Sequence, residues 1–273
     1  MASSVSQEAY NSAVEKLTAE TSSATAAQLA TVADEILSVA GLLRAQPRLR
    51  RALTDPSRPG PDRAELLRSL LVGKLAEATV GTLTTLVSGR FSRPAELLDV
   101  TERLGVEVEL RSAEKAGTLA EVEDELFRFG QIVAGNPQLA ITLSDVGAPT
   151  SLRVKLVEDL LRSKAQPATV RLVEVALEGF GGRGFESSLT RLVELTAAKR
   201  DREVAYVTVA RPLGDDDEQA LAAKLSDIYD RPVSLKVVVD PAIIGGVSVR
   251  VGSDLYDGTI LRQLNAARQA FAK

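Results

Sequence analysis

Residues 32–80 read VADEILSVAGLLRAQPRLRRALTDPSRPGPDRAELLRSLLVGKLAEATV, and residues 122–170 read VEDELFRFGQIVAGNPQLAITLSDVGAPTSLRVKLVEDLLRSKAQPATV. Aligned without a gap, the two stretches are identical at 16 of 49 positions. About 3 or 4 identities would arise by chance at this composition. The chain therefore carries one module twice, at an offset of 90 residues.

Both copies have the apolar periodicity of amphipathic helices. Leu29, Val32 and Ile36 recur at three- and four-residue steps, as do their counterparts in the second copy. One segment is ambiguous, because apolar residues alternate with glutamates over residues 106–110, as they do in a strand. The offset aligns this segment with a helix-like stretch near the N-terminus. We therefore predict a helix over Arg93–Ala116 that closes the first bundle and opens the second.

The residue pattern changes after residue 203, from helical periodicity to runs of β-branched residues. Residues 204–209 and 233–239 are rich in β-branched residues and predict strands, and Gly246–Val251 predicts a third strand. A helix is expected to begin at Asp215, and a final helix over Gly258–Phe271 presents Ile260, Leu261, Leu264 and Phe271. The predicted fold is mostly α, with two tandem amphipathic helical bundles followed by a small α+β C-terminal domain. The predicted domain bounds are 1–92, 93–202 and 203–273.

Composition excludes much chemistry. The 273 residues include no histidine and no cysteine, which excludes disulfides, thiolate or imidazole metal sites and a Ser-His-Asp triad. The net charge of −4 argues against a nucleic-acid partner, and we interpret Arg48, Arg50 and Arg51 as solvated helix ends. Met1–Tyr10 lacks the features of a signal peptide. The longest charge-free stretch, Phe129–Ser144, is shorter than the ~18 apolar residues of a membrane span. We expect no metal and no cofactor.

One glycine-rich stretch raises an enzymatic alternative. Residues 179–184 read GFGGRG, which formally satisfies the dinucleotide pattern G-x-G-x-x-G. That pattern requires a preceding strand, whereas residues 170–178 have helical character. We interpret the stretch as a helix end and turn, and a nucleotide-binding enzyme stays the less favoured alternative. The pair Ser163-Lys164 is interpreted as part of a solvated helix end, since the first copy has glycine in place of the serine.

The most distinctive pattern lies near the C-terminus, where residues 233–264 read VSLKVVVDPAIIGGVSVRVGSDLYDGTILRQL. From the residues alone it is a β-hairpin core in which two adjacent glycines permit a tight reversal. The pattern is carried by Val233, Leu235, Val239, Asp240, Ile243, Gly245, Gly246, Val247, Val249, Arg250 and Gly252.

This run resembles the signature of the ATP synthase delta subunit family, also called the oligomycin-sensitivity-conferring protein (OSCP). The resemblance extends over about residues 95–273 and includes the turn at Asn136-Pro137. Members of the family usually have one helical bundle before the α+β part, whereas this chain has two. The resemblance implies a non-catalytic stator subunit of an F-type ATP synthase, at the cytoplasmic face of the bacterial cell membrane and attached to it only through the complex.

The resemblance also implies partners. The helical domain would bind the N-terminal helix of an alpha subunit, and the C-terminal domain would join the peripheral-stalk b subunit. In the family the groove lies between the first and fifth helices, which are here Pro94–Ala116 and Ala168–Leu177. Its expected lining residues are Val100, Leu104, Val170, Val173 and Leu177, and bundle core is the alternative role for each of them. A general helical adaptor is the other hypothesis for the whole chain.

Overall fold

A computed structural model describes residues 4–262 and residue 264 of the chain. It divides into two compact units, Met1–Leu192 and Val193–Lys273. Both sequence copies lie within the first unit. The division of the helical region into domains 1–92 and 93–202 stays a prediction. The predicted helix face at Phe271 lies outside the described residues.

The helices of the first unit follow the predicted copies, and the last of them runs across the boundary at residue 192 into the second unit. Prolines occupy the first turns of several helices, where the missing N–H costs no hydrogen bond. In chain order the helices are α1 Ser4–Glu20, α2 Ala26–Ala45, α3 Pro47–Leu53, α4 Gly60–Leu71, α5 Glu77–Ser88, α6 Pro94–Ala116, α7 Leu119–Ala134, α8 Pro137–Ser144, α9 Thr150–Leu161, α10 Pro167–Leu177, a short 3-10 helix Phe180–Gly182, and α11 Phe185–Lys199.

Helix α6 confirms the predicted helix over Arg93–Ala116. The strand-like alternation at residues 106–110 arises because this part of α6 is buried on several sides, Val106, Val108 and Leu110 included. The helix packs along α2, and Val100 and Leu104 belong to the same hydrophobic core as the first-copy helices. The first copy is thus completed by the helix that aligns with the start of the second.

Two identities of the repeat are explained by one side-chain cap. Glu35 on α2 accepts hydrogen bonds from the Ala76 N–H at 3.1 Å and from the Thr79 hydroxyl at the start of α5. In the second copy, Glu125 on α7 accepts from the Gln166 N–H at 2.8 Å and from the Thr169 hydroxyl at 2.5 Å. The carboxylate satisfies N–H groups that a helix start leaves open. The glutamate and the threonine therefore recur together.

A buried arginine explains a third identity. The N–H groups of Arg63 donate to the carbonyls of Val87, Ser88 and Gly89 at the end of α5, and to two carbonyls of the turn before α4. Arg153 takes the same place, donating to the carbonyls of Leu143 at 3.1 Å and Leu177 at 3.0 Å. A cation at the ends of helices satisfies open carbonyls and opposes the negative end of the dipole.

The second unit is a small α+β structure. Its elements are β1 Glu203–Val209, α12 Asp215–Tyr229, β2 Val233–Val239, β3 Val247–Val251 and β4 Asp254–Asp257. The strand order is β2-β1-β3-β4, with β1 parallel to β2 and antiparallel to β3. Val207 of β1 pairs with Val237 of β2 and Val249 of β3.

Two sequence interpretations of this unit are corrected. Strands β2 and β3 do not form a hairpin, because each pairs with β1 on opposite sides. Strand β4 was not predicted, since Asp254–Asp257 has only four residues and two of them are aspartates. The true hairpin joins β3 to β4 through Gly252 and Ser253.

Helix α2 is long and apolar enough, by length and composition alone, to cross a membrane. The expectation of no membrane span was based only on stretches without charged residues. It therefore did not consider α2, which contains Asp34 and Glu35. In the structure Leu29, Ile36 and Leu43 of α2 are buried in the core of the first copy. A core helix of a soluble protein can have the same length and composition, so these two properties are weak evidence for a membrane span.

Candidate partner-binding surfaces

The five residues expected to line a groove between α6 and α10 are mostly inside the protein. Val100 and Leu104 lie in the core shared with α2, and Val173 and Leu177 are also buried. Val170 alone is half-exposed. The structure thus brings these residues onto two neighbouring helices, at positions typical of bundle core. Their role in partner binding stays a prediction.

Helix α2 of the first copy lies against the face of α6 where the groove was expected. A Cβ placed on Gly105 of α6 would lie 2.6 Å from the Leu37 side chain, so the glycine permits close approach. The aligned residue of α1 is Glu15, which is exposed to solvent. The position on α1 that corresponds to Gly105 therefore carries a charged, exposed side chain, as expected for a terminal repeat.

Two ion-pair clusters join α2, α6 and α10. In the first, Arg171 of α10 pairs with Asp34 of α2 and, at 3.4 Å, with Glu109 of α6. In the second, Arg44 of α2 pairs with Glu102 of α6 at 2.6 Å and with Glu178 at the end of α10. Each cluster therefore links α2 of the first copy to α10 of the second copy through a carboxylate on α6, the helix that both copies share.

The shared carboxylates are strongly buried. Burial raises the pKa of Glu102, while the Gly181 N–H at 2.8 Å and Arg44 oppose the shift. Burial likewise raises the pKa of Glu109, against the attraction of Arg171. One oxygen of Glu109, Oε2, has no hydrogen-bond partner among the described residues. Such groups resist separation from their arginines, because an unpaired buried charge is costly.

A cavity of about 300 Å³ lies beside these clusters, between α2, α6, α9 and α10. Burial and the nearby Glu158 raise the pKa of Glu174, which lines it. No group of carboxylates among the described residues has an arrangement that could hold a metal ion. Sequence reasoning missed Glu102 and Glu109. Their spacing of seven residues, which places both on one face of a helix, is the pattern that could have revealed them.

The glycine-rich stretch 179–184 follows helix α10 and precedes α11. Gly179 has a φ of 83° in the left-handed region and ends α10. The predicted helix end and turn is confirmed. The strand that a dinucleotide fingerprint needs before its glycines is replaced here by a helix.

In the second unit, the signature residues build a crossover between β2 and β3. The Asp240 carboxylate accepts a hydrogen bond from the Ala242 N–H at 2.9 Å, which forms the turn after β2. The Gly245 carbonyl accepts from the Ile260 N–H at 3.0 Å. A Cβ on Gly246, whose φ is 86°, would lie 2.4 Å from the Gly258 carbonyl oxygen. Gly246 is therefore required for chain packing, because its Cβ would collide with main-chain atoms.

The other signature residues belong to the sheet. Val233 and Val249 are buried in its core, and Leu235 and Val247 pack against that core. Gly252 has a φ of 55° in the β3–β4 turn, and the Arg250 guanidinium lies 5.0 Å from the centre of the Tyr206 ring. Ile243 is half-buried in the crossover.

Several large apolar side chains of the second unit face solvent. They lie at the end of β2, in the crossover, on β4 and after it, and are Val239, Ile244, Leu255, Ile260, Leu261 and Leu264. The exposure of Ile260, Leu261 and Leu264 does not support packing of these three residues on the sheet.

Comparisons with known proteins add independent information. A family model described as "ATP synthase delta (OSCP) subunit" matches residues 110–271. The chain is 59% identical over 273 residues to the ATP synthase subunit delta of Salinispora arenicola (strain CNS-205), with 100% of both chains covered. It is 42% identical over 276 residues to the subunit delta of Parafrankia sp. (strain EAN1pec), covering 100% of this chain and 99% of the relative. A chain in the cryo-EM structure of the Toxoplasma gondii mitochondrial ATP synthase hexamer matches 62% of this chain and 95% of its own length at 15% identity, with a TM-score of 0.38. That structural similarity is too weak to support a conclusion.

Proposed function

Since the chain belongs to the ATP synthase delta (OSCP) subunit family, we propose that it ties the N-terminal helix of an alpha subunit to the peripheral-stalk b subunit. The chain is a non-catalytic stator subunit of an F-type ATP synthase, and it is associated with the membrane-bound complex. The proposal adds the two partners and the cytoplasmic face of the bacterial cell membrane. The observation that carries it is the 59% identity to a subunit delta over that relative's full length.

The role is mechanical. The stator must resist the torque of the rotor, so affinity and stiffness matter more than any reactive group. The ion-pair clusters support stiffness, because they hold α2 and α10 on α6 through the buried carboxylates of Glu102 and Glu109. Accordingly we assign the alpha-subunit contact to domain 93–202, which holds its five expected residues, and stalk binding to domain 203–273, while the role of domain 1–92 is a separate question.

The proposed head contact has a structural condition. Val100 and Leu104 are covered by α2, so a partner helix can reach them only if α2 separates from α6. Val170 is accessible without such a movement. A disulfide between Leu37→Cys and Gly105→Cys would hold α2 on α6. It should abolish binding if the partner helix occupies Val100 and Leu104, and should leave binding unchanged if it docks elsewhere.

Stator function is tested by reconstitution. Membranes depleted of their delta subunit should regain proton-driven ATP synthesis when the full chain is added, while ATP hydrolysis by the detached head stays unchanged. Calorimetric titration of the full chain with a synthetic alpha-subunit N-terminal peptide tests the head contact directly. Saturable binding with a negative heat-capacity change is the expected result.

Two matched variants test whether the alpha-subunit peptide binds at Val170. Val170→Glu should weaken binding of the peptide, while Val146→Glu, at a residue that is 90% exposed, should not. Restored synthesis without peptide binding would refute the alpha-subunit contact alone. Failure to restore synthesis would refute the stator role. A truncated chain starting at residue 92 is unsuitable for either test, because it would expose the α2-facing side of α6.

A further inference from the structure

The first copy contains a cavity of about 780 Å³ that carries positive charge. We call it the arginine cavity. Among the described residues, three arginines, four hydroxyl residues and no carboxylate line it. Its lining comes from the turn between α3 and α4, the first turn of α4, the end of α5 with the segment after it, and one residue of α1: residues 54, 56–61, 63, 88, 90–92 and Val5.

The second copy has a cavity at the same place in the module, with a volume of about 510 Å³. The buried arginine is common to both, as Arg63 and Arg153. The other charges differ, because the second-copy cavity is lined by Arg183 together with the carboxylates of Glu178 and Glu186, so that its charges balance. Extending the 90-residue offset to both cavities gives three differing positions. In the order first copy then second copy, they are Arg58 and Ala148, Arg90 and Phe180, and Ser88 and Glu178. The module therefore folds without the extra arginines, and the positive cavity is a property of the first copy alone.

Two of the three arginines have unused donors. The N–H groups of Arg63 donate to main-chain carbonyls, so Arg63 can contribute only its positive charge to the cavity. Arg58 is exposed and reaches one oxygen of Asp55 at 3.9 Å, while the other oxygen of Asp55 accepts from Ser57. Arg90 is exposed and forms no ion pair with any described residue.

The setting favours an acidic ligand that also has apolar side chains. Val5 and Phe91 and three prolines line the same cavity as the arginines. Arg48 and Arg51 lie on α3 shortly before the cavity, where the second copy has Gln138 and Ile141. The volume suits several residues of a peptide better than one inorganic anion. In a chain with a net charge of −4, this local concentration of arginine is unexpected.

We propose that the arginine cavity binds an acidic segment of a partner protein, whose carboxylates pair with Arg58 and Arg90 and whose apolar side chains contact Val5 and Phe91. Arginine and carboxylate form strong, directional hydrogen bonds, and complementary charge speeds and orients association. The inference rests on the proposed stator function only in that the segment belongs to another subunit of the complex. It gives the first copy a partner different from that of the second.

The test measures binding of a labelled peptide of alternating leucine and glutamate to the full chain, by fluorescence anisotropy. A peptide with glutamine in place of each glutamate is the matched probe. The glutamate peptide should bind at least about tenfold more tightly, because each charge-assisted hydrogen bond contributes about 1.4 kcal/mol or more. Its binding should weaken as salt is raised.

Variants locate the site. Arg58→Gln with Arg90→Gln should reduce binding of the glutamate peptide about tenfold or more. Arg128→Gln with Arg162→Gln removes the same charge from exposed positions of the second copy and should leave binding unchanged. Circular dichroism of each variant confirms folding. Equal losses in the two pairs would overturn the proposal.

Competition distinguishes other ligands. Inorganic phosphate and vesicles of phosphatidylglycerol should not displace the glutamate peptide at matched negative charge. Displacement by either would overturn the assignment to a protein segment, as would equal binding of the glutamate and glutamine peptides. Failure here, with ATP synthesis still restored in the reconstitution, would refute the cavity inference and leave the stator function standing.

Discussion

Replacing Arg171 with methionine should reveal how strongly the two copies are held together. Glu109 is 1% exposed, and Arg171 is its only ion-pair partner among the described residues. Removing one partner of a buried pair costs about 3–5 kcal/mol. The carboxyl group can escape the penalty by taking up a proton. From its ordinary pKa of 4.5, this costs about 3.4 kcal/mol at pH 7 and about 0.7 kcal/mol at pH 5.

The expected loss of unfolding free energy is therefore about 3 kcal/mol at pH 7 and below about 1 kcal/mol at pH 5. The sign follows from linkage. Burial raises the pKa of Glu109 in the folded state, so the native protein binds more protons than the unfolded chain above the ordinary pKa. The contribution of Glu109 to the free energy of unfolding is therefore present at low pH and is lost as pH rises. The free energy of unfolding should fall more steeply with pH in the Arg171→Met variant than in the original chain.

Urea unfolding followed by helical circular dichroism at pH 7 and pH 5 measures the effect. Arg128→Met, at an exposed position of α7, is the matched control and should change stability by less than about 0.5 kcal/mol. The double variant Arg171→Met with Glu109→Met should recover most of the loss, because it removes the unpaired charge. Equal losses at the two pH values, or no loss at pH 7, would refute the reasoning.

Three further perturbations test the fold. Glu125→Ala removes the cap at the start of α10 and should lower the unfolding free energy by about 1–3 kcal/mol, measured in urea. Arg153→Met leaves buried carbonyls open and should cost about 2 kcal/mol or more in the same assay. Gly246→Ala forces a Cβ against the Gly258 carbonyl and should lower the Tm of the second unit more than Gly252→Ala, whose Cβ meets open space at a similarly positive φ. A larger effect at Gly252 would contradict the packing role of Gly246.

The helices were predictable because their determinants are local. Breakers such as Pro47 and Pro137 and apolar periodicity mark the helices within each copy, and the repeat resolved the strand-like residues 106–110 as helix. The sheet was predicted less completely. Its pairing joins β1 to β3 across about forty residues, and no short-range pattern indicates which strands are neighbours.

The candidate surfaces show the same limit. The signature residues were recognised from their spacing, yet Gly246 acquires its role only where Gly258 returns beside it. Glu102 and Glu109 were missed, because their arginines lie far away in the sequence, at Arg44 and Arg171. A buried carboxylate on a helix looks like a solvated one until its partners are known.

The duplication, the helical class, the exclusion of histidine and cysteine chemistry, and the signature that indicates the family all follow from the order of residues alone. The folded chain was needed to establish that α2 covers α6, that Val100 and Leu104 are therefore buried, and that the arginines of the first copy line a cavity. The difference lies in the range of the interactions. Helix periodicity and turns depend on residues a few positions apart, whereas burial and charge pairing depend on which distant faces the folded chain brings together.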